Sequence, residues 1–311
     1  MTLRPAGGID DVPEERLGHI SVMSREVGAA LKLGKGMTVV DCTLGLGGHS
    51  LMMAEIIGVG GRLVGIDQDD RAIVLAKERL KGFSGRLDIV KSNFRNMNEV
   101  LDGLGVQAVD AVLFDLGVSS IQLDDPARGF SFRRDGPLDM RMDAGAQVSA
   151  FDVVNTFPEE ELARVLWQYG EERFSRRIAR NIVKARAASV INTTAELTAI
   201  ILRSLPYKHS REGAHPATRS FQGIRIAVNQ ELESLESVLG VAFTRLKPAG
   251  RMCVISFHSL EDRIVKERFR SLSLAGSAAV LTKKPLRPSP EEESANPRSR
   301  SARLRALERI L

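Results

Sequence analysis

The stretch Val39-Val40-Asp41-Cys42-Thr43-Leu44-Gly45-Leu46-Gly47-Gly48-His49-Ser50 constrains this chain more than any other. A short apolar run ends in an acid, passes through a glycine-rich turn and enters the helix-like segment Leu51 to Ile57. That is the strand–loop–helix opening of a nucleotide-binding half-sheet. Glycines belong in such a turn because a side chain would hold a ligand away from the backbone. A second apolar run, Leu63-Val64-Gly65-Ile66-Asp67, also ends in a carboxylate. An acid at that place accepts hydrogen bonds from both hydroxyls of an adenosine ribose.

The loop spacing narrows the adenosine ligand. A dinucleotide fingerprint has glycine at its first, third and sixth positions. Counted from Gly45 these are Gly45, Gly47 and Ser50, so the third glycine is missing. Asp41, just upstream, would repel a pyrophosphate and suits an ammonium instead. S-adenosylmethionine has a ribose and an ammonium and no phosphate, so it is the expected cofactor. A nicotinamide-dependent dehydrogenase is disfavoured on the same grounds. The structural alternatives stay open at each acid: Asp67 as a cap for the next helix, Asp41 as a cap for its own turn.

Further along, Arg86 to Lys91 and Val109 to Asp115 read as third and fourth strands, with a helix over Asp70 to Leu80. A further helix is expected over His19 to Leu33, after a loose arm at residues 1–18. The opening third is therefore a βαβαβαβ run, the pattern of a parallel, doubly wound sheet. The pattern changes at Asp124 to Asp143, which mixes arginines, aspartates, Phe130 and Phe132 with little periodicity. Loops of that length inside a domain usually carry function. Three helices are expected next: one from Pro158 to Gly170, one carrying Phe174, Ile178 and Ile182, and one opened by a Thr193/Glu196 capping box. No strand is expected between about 120 and 220. This reads as a helical domain, 121–217, inserted into a sheet domain formed by 19–120 and 218–311. A long helical region from Thr218 to Leu246, broken near Asn229, leads through a Lys247–Gly250 turn to a fifth strand, Arg251 to Phe257. Glu261 to Leu272 is helical, and Ala279 to Thr282 with Ala302 to Ile310 suits an antiparallel hairpin at a sheet edge.

Composition sets outer bounds. The chain has 311 residues, 43% of them hydrophobic, enough for one large or two ordinary domains. Its net charge is +5, which favours a polyanionic partner. No apolar run approaches a membrane span, and the polar N-terminus does not read as a signal peptide. A cytoplasmic protein is expected. The two cysteines, Cys42 and Cys253, fall in different strands with the Asp115 strand between them. Two strand spacings, about 9.6 Å, are too far for a disulfide. Neither has the company of a zinc site, and no metal is expected.

Several long motifs then point one way. They are Asp41-x-Thr43-x-Gly45-x-Gly47-Gly48-His49, Asp115-Leu116-Gly117-Val118-Ser119-Ser120 with Gln122-Leu123-Asp124, and Arg128-Gly129-Phe130-Ser131-Phe132. Gly136 to Asp143, His215-Pro216-Ala217-Thr218-Arg219 and Ser256 to Arg263 complete the set. Together they resemble the MraW family of bacterial ribosomal RNA methyltransferases, from about His19 to the C-terminus. The resemblance implies a Rossmann-like class I methyltransferase sheet. It implies methyl transfer from S-adenosylmethionine to the exocyclic N4 amine of one cytosine in the decoding region of 16S ribosomal RNA. By that resemblance Gly47, Gly48 and His49 line the methionine end of the cofactor, Asp67 holds the ribose and Phe94 packs beside the adenine. Asp115 and Gln122 close the pocket near the reacting end.

The residues themselves leave several roles open. Asp115 suits either a base beside the amine or an acceptor for the cofactor's ammonium. Phe94 suits core packing as well as adenine stacking. Phe130 and Phe132 suit either stacking on an unpaired base or anchoring of their loop. Arg173, Arg176, Arg177 and Arg180, with Lys184 and Arg186, suit phosphate contact or a solvated helix face. His258 and Asp139 are candidates by motif membership alone. An assembly factor that binds RNA and uses the cofactor structurally is the alternative from another class. The sequence leaves open whether the protein is a monomer or a homodimer.

Overall fold

The computed structural model describes residues 21–206 and 215–310. The expected arm at 1–18 and the start of the expected helix at His19 lie outside the described residues. In chain order the elements begin with α1 (Ser24–Leu31), β1 (Thr38–Asp41), α2 (Gly48–Ile57), β2 (Arg62–Asp67), α3 (Asp70–Arg79) and β3 (Arg86–Lys91). They continue with α4 (Met97–Gly103), β4 (Val109–Asp115), α5 (Ser120–Asp124), α6 (Ala150–Thr156), α7 (Glu159–Gln168), α8 (Ser175–Ala188) and α9 (Thr194–Ser204). Last come α10 (Thr218–Asn229), α11 (Glu231–Arg245), β5 (Leu246–Ser256), α12 (Ser259–Leu274), β6 (Ala278–Val280), α13 (Pro290–Ala295) and β7 (Arg303–Arg309).

The strands form one sheet in the order β3-β2-β1-β4-β5-β7-β6. Neighbours from β3 to β5 pair parallel, and β7 runs antiparallel to both β5 and β6. This is the doubly wound, mostly parallel α/β sheet expected. The strand order reverses between β1 and β4, which opens a crevice at the carboxyl ends of the strands. Successive strand residues alternate between two apolar layers. Val40, Val112, Phe114 and Val254 pack with α4, α11 and α12, whereas Val39, Leu113, Cys253 and Ile255 pack with α1 and α2. Cys42 lies in the first layer and Cys253 in the second, and both are free thiols.

A third apolar core lies outside the sheet. It gathers Leu162 and Leu166 of α7, Ile178 and Ile182 of α8 and Leu197 and Ile201 of α9. Phe221, Ile224 and Val228 of α10 join it. The capping box of Thr193 and Glu196 is formed as expected.

One local expectation is corrected, one is met, and a set of short helices was not foreseen. The Lys247–Gly250 turn is a bulge inside β5: Leu246 pairs with Val109 and Arg251 with Ala111, so the extra residues loop out. The break near Asn229 falls at Gln230, held at φ 50° between α10 and α11. The short helices α4, α5, α6 and α13 escape periodicity because five to seven residues are too few to show it.

Candidate active site

Asp41, Asp67 and Asp115 end β1, β2 and β4. The loops that follow these strands, with those after β3 and β5, enclose a cavity of about 340 Å³. That size is within the usual range of small-molecule sites, about 300–1,000 Å³.

Asp67 lines the cavity. Its Oδ2 accepts the Gly45 amide at 2.7 Å and its Oδ1 the Asp69 amide at 2.9 Å. An ionised carboxylate has about four lone-pair sites, so two remain for hydroxyl groups arriving from the cavity. Burial pushes Asp67 up to about 6, against the lowering effect of those amides.

The glycine turn divides its work. Gly47 has φ 75° as the N-cap of α2, and a Cβ there would meet the Ala76 Cβ at 3.3 Å. It sets the turn and the close approach of α2 to α3, and it is not among the cavity's lining residues. Gly48 does line the cavity, and a Cβ on it would run into the Ser21 hydroxyl. Asp41 is fully buried behind the turn, where its carboxylate accepts the Ser50 hydroxyl at 2.7 Å and the Thr43 amide at 3.2 Å. The expectation that Asp41 meets an ammonium directly is corrected on that ground. It shapes the turn instead.

His49 is buried in the first turn of α2, with Nε2 3.5 Å from Asp115 Oδ2. Neither ring nitrogen makes a hydrogen bond of good geometry. Burial disfavours an imidazolium, but the carboxylates of Asp115 and Asp41 outweigh it and His49 titrates above its ordinary value. The Asp115 amide donates to Thr43 Oγ1 at 2.6 Å, which fixes the strand end. Asp115 lines the cavity, and its Oδ1 is buried without a hydrogen-bond partner. Phe94 lines the cavity as well, with its ring edge-on to Phe114 at 5.8 Å between centroids. Core packing and ligand contact are therefore compatible there.

Gln122 lines the cavity with its amide engaged: Oε1 accepts the Ser119 amide at 3.0 Å and Nε2 donates to Asp69 Oδ2 at 2.9 Å. Sequence reasoning missed Asp69. Its Oδ1 caps α3 through the Arg71 amide at 3.0 Å, and its Oδ2 also accepts Arg128 Nη1 at 2.7 Å. Arg128 Nη2 donates to the carbonyls of Arg141 at 2.9 Å and Met142 at 3.0 Å. Asn229 holds the same loop from the other side, accepting the Met142 amide and donating to the Met140 carbonyl, both at 2.8 Å. The aperiodic loop is thus fastened to the strand end that carries Asp67.

A second missed group lies on the β5 side. Arg225 donates through Nε and Nη2 to both oxygens of Glu231, each at 2.9 Å. The buried Glu261 accepts the Phe257 amide at 2.8 Å and the His258 amide at 3.3 Å. Its own burial works against ionisation, but the nearby His258 and Arg225 hold it below its usual value. The readable signal was Arg225 itself, a charge on the apolar stripe of Phe221, Ile224 and Val228. Two motif candidates take structural roles. His258 caps α12, and Asp139 is gripped by Arg141 at 2.9 Å and 2.8 Å.

Of the two roles open to the loop's aromatics, the packing favours anchoring. Phe130 is 6% exposed in the helical core, and Phe132 stacks on His215 at 4.4 Å and meets Phe221 edge-on. Both anchor the loop, because the apolar core takes their faces, and neither is an open platform for a base. Trp167, 58% accessible near the end of α7, is an exposed aromatic next to the turn into α8. Arg173, Arg176, Arg177 and Arg180 are exposed at the start of α8, and Lys184 further along it. Arg186 is not part of that face: it donates to the Val154 and Phe157 carbonyls and closes the end of α6.

A glycine turn and an acid placed for a ribose sit beside a buried Asp–His pair at the switch point of a doubly wound sheet. That combination fits S-adenosylmethionine, through the free acceptors of Asp67, on the doubly wound sheet of the class I methyltransferases. The chain belongs to the MraW methylase family, whose model matches residues 16–310. Its cofactor is S-adenosylmethionine. A protein of Brevibacillus brevis named Ribosomal RNA small subunit methyltransferase H is 48% identical over 94% of this chain and 98% of its own length. One of the same name from Clostridium botulinum is 47% identical over 94% of this chain and 99% of its own. Among solved structures, an rRNA methylase from Streptococcus thermophilus covers 93% of this chain and 94% of its own, with 10% identity and a TM-score of 0.42. Among the described residues no helix is long and apolar enough to cross a membrane.

Proposed function

We propose that the protein methylates the exocyclic N4 amine of one cytosine in the decoding region of 16S ribosomal RNA, in the cytoplasm and on an assembled small subunit. The observation that carries this reading is the Asp115 carboxylate. It lines the cavity, one oxygen faces His49 and the other is an unfilled buried acceptor. A cytosine amine is a poor nucleophile because its lone pair is delocalised into the ring. An acceptor on its N–H favours the pyramidal nitrogen that attacks, and takes up the proton released once the new bond has formed. The bound cofactor supplies an electrophilic methyl group on a sulfonium. What the protein adds is alignment, and Asp67, Gly48 and Phe94 support it by lining one continuous cavity.

The helical insert, 121–217, is proposed as the RNA-recognition unit. The exposed arginines of α8 and the neighbouring Trp167 support that assignment. A target base must leave its stack to reach a cavity at a strand end. The test is purified protein with labelled cofactor, offered naked 16S rRNA and small subunits side by side, followed by nucleoside digestion and mass spectrometry. N4-methylcytidine formed in subunits is the expected result. Label on a ring carbon or ribose hydroxyl overturns the amine assignment. No label at all, with RNA and cofactor both bound, returns the protein to the alternative of a non-catalytic assembly factor.

A further inference from the structure

The cavity has two halves. The loops after β1, β2 and β3 form one, with the groups assigned to the cofactor. Arg225, Glu231, Phe257 and Glu261 form the other, near the ends of β4 and β5, and nothing in the cofactor needs them. The side chains of Arg225 and Glu231 are only 16% and 10% exposed. Their fork-to-fork contact fixes the plane of the guanidinium. Among the described residues Arg225 Nη1 has no hydrogen-bond partner. No hydrogen bond runs from it to Glu261, whose Oε2 accepts the amides of Phe257 and His258 and whose Oε1 lies 3.2 Å from His258 Nε2. Burying an ion pair is costly. Here it leaves an oriented donor on the wall of a cavity whose other wall offers the free acceptor of Asp115.

A donor and an acceptor on the walls of one cavity complement a ligand edge with an acceptor beside a donor. Cytosine has that edge: ring nitrogen N3 accepts, and the neighbouring N4 amine donates. Uracil reverses both positions, so the same pair rejects it. We propose that Arg225 Nη1 donates to N3 of the target cytosine while Asp115 accepts from its N4 amine. This rests on the amine-methylation reading above. A donor at N3 draws the N4 lone pair into the ring, so it does not speed the chemical step. Arg225 is therefore a positioning and specificity residue, and its loss falls on KM for RNA rather than on kcat.

The experiment uses the full chain and small subunits carrying either cytidine or 3-deazacytidine at the target position. The variant is Arg225→Gln with Glu231→Gln, which removes both charges of the ion pair while buried Glu261 keeps the Phe257 and His258 amides and the His258 ring at 3.2 Å; Arg225→Lys is run beside it. On cytidine subunits both variants lose roughly ten- to a hundred-fold in kcat/KM, through KM, the scale of one charged hydrogen bond. On 3-deazacytidine subunits, which lack the N3 acceptor, variants and wild type perform alike. An equal loss on both substrates overturns the contact with N3. Weaker cofactor binding by calorimetry with unchanged KM for subunits also overturns it and assigns Arg225 to the cofactor. Wild-type product without N4-methylcytidine removes the amine reading itself, a failure told apart by digesting that product.

Discussion

Asp67 should make cofactor affinity depend on pH in a narrow acid window. Burial raises its pKa from the ordinary 3.8 to about 6, so the folded protein holds a proton that the unfolded chain would release. Ionisation therefore subtracts from stability as pH rises from 3.8 towards 6. Cofactor binding runs the opposite way, because the ribose hydroxyls need the ionised acceptor. With a pKa near 6, the ionised fraction at about pH 5 is close to one tenth and at about pH 6.5 about three quarters. Affinity for S-adenosylmethionine should rise about eightfold across that interval. Asp67→Asn is the control. Its amide nitrogen must face a backbone N–H of Gly45 or Asp69, where the carboxylate now accepts both. Affinity should fall roughly ten- to a hundred-fold, one charged hydrogen bond lost, and become flat with pH. Calorimetry at the two pH values, with a thermal melt at each to confirm folding, measures both effects. A wild type without pH dependence, or a variant that keeps it, refutes the assignment of Asp67.

The other predictions follow from contacts elsewhere. Arg128→Ala removes the cation from buried Asp69 and the clamp on the Arg141 and Met142 carbonyls; urea unfolding should show a loss of about 3 kcal/mol, and KM for RNA should rise. Charge reversal at Arg176, Arg177 and Arg180 should leave cofactor binding intact, while each lost phosphate contact lowers the log–log salt slope of RNA binding by about 0.7–0.9. Trp167→Ala, at an exposed position, should leave the melting temperature unchanged and weaken RNA binding by about 1–3 kcal/mol if a base stacks there. Asp262 resists the upward pull of its burial because Arg305 and Arg303 hold its pKa below 3.8. The stability it adds is present above 3.8 and is lost as pH falls through its folded value. Asp262→Asn should therefore unfold more easily at neutral pH and show less of the acid limb in a pH titration of urea midpoints.

The sheet was legible because each strand announces itself locally. Arg62–Asp67, Arg86–Lys91 and Val109–Asp115 are apolar or alternating runs bounded by polar residues, and all three appear with the expected limits. Strand order was harder to read, since β7 pairs with β5 across a separation that no local signal encodes. The hairpin of the tail was expected at an edge. What the sequence did not reveal is that its later strand lies inside and its three-residue partner outside. The bulge in β5 was hidden for a related reason. Lys-Pro-Ala-Gly is turn chemistry, and only pairing with Val109 and Ala111 converts it into an irregular strand.

The site divides along the same line between local and long-range information. Asp67, Gly48, His49 and Asp115 follow directly from the ends of strands, so a reader of motifs reaches them. Asp69, Arg128 and Asn229 belong to the site only because an irregular loop folds back on the second strand, from 59 residues away in the case of Arg128 and Asp69. Aromatic residues among arginines left Phe130 and Phe132 open to base stacking or to anchoring their loop, and their apolar faces are worth more inside the helical core than in water. Trp167 has no such place, because Leu162, Val165 and Leu166 already occupy the buried face of α7. The arginine that matters inside the cavity was visible by the same reasoning in reverse. A charge at Arg225, between Ile224 and Ile226 on a helix that buries both, is sustained by its partner Glu231. Its one unused nitrogen is free for whatever enters the cavity from the RNA side.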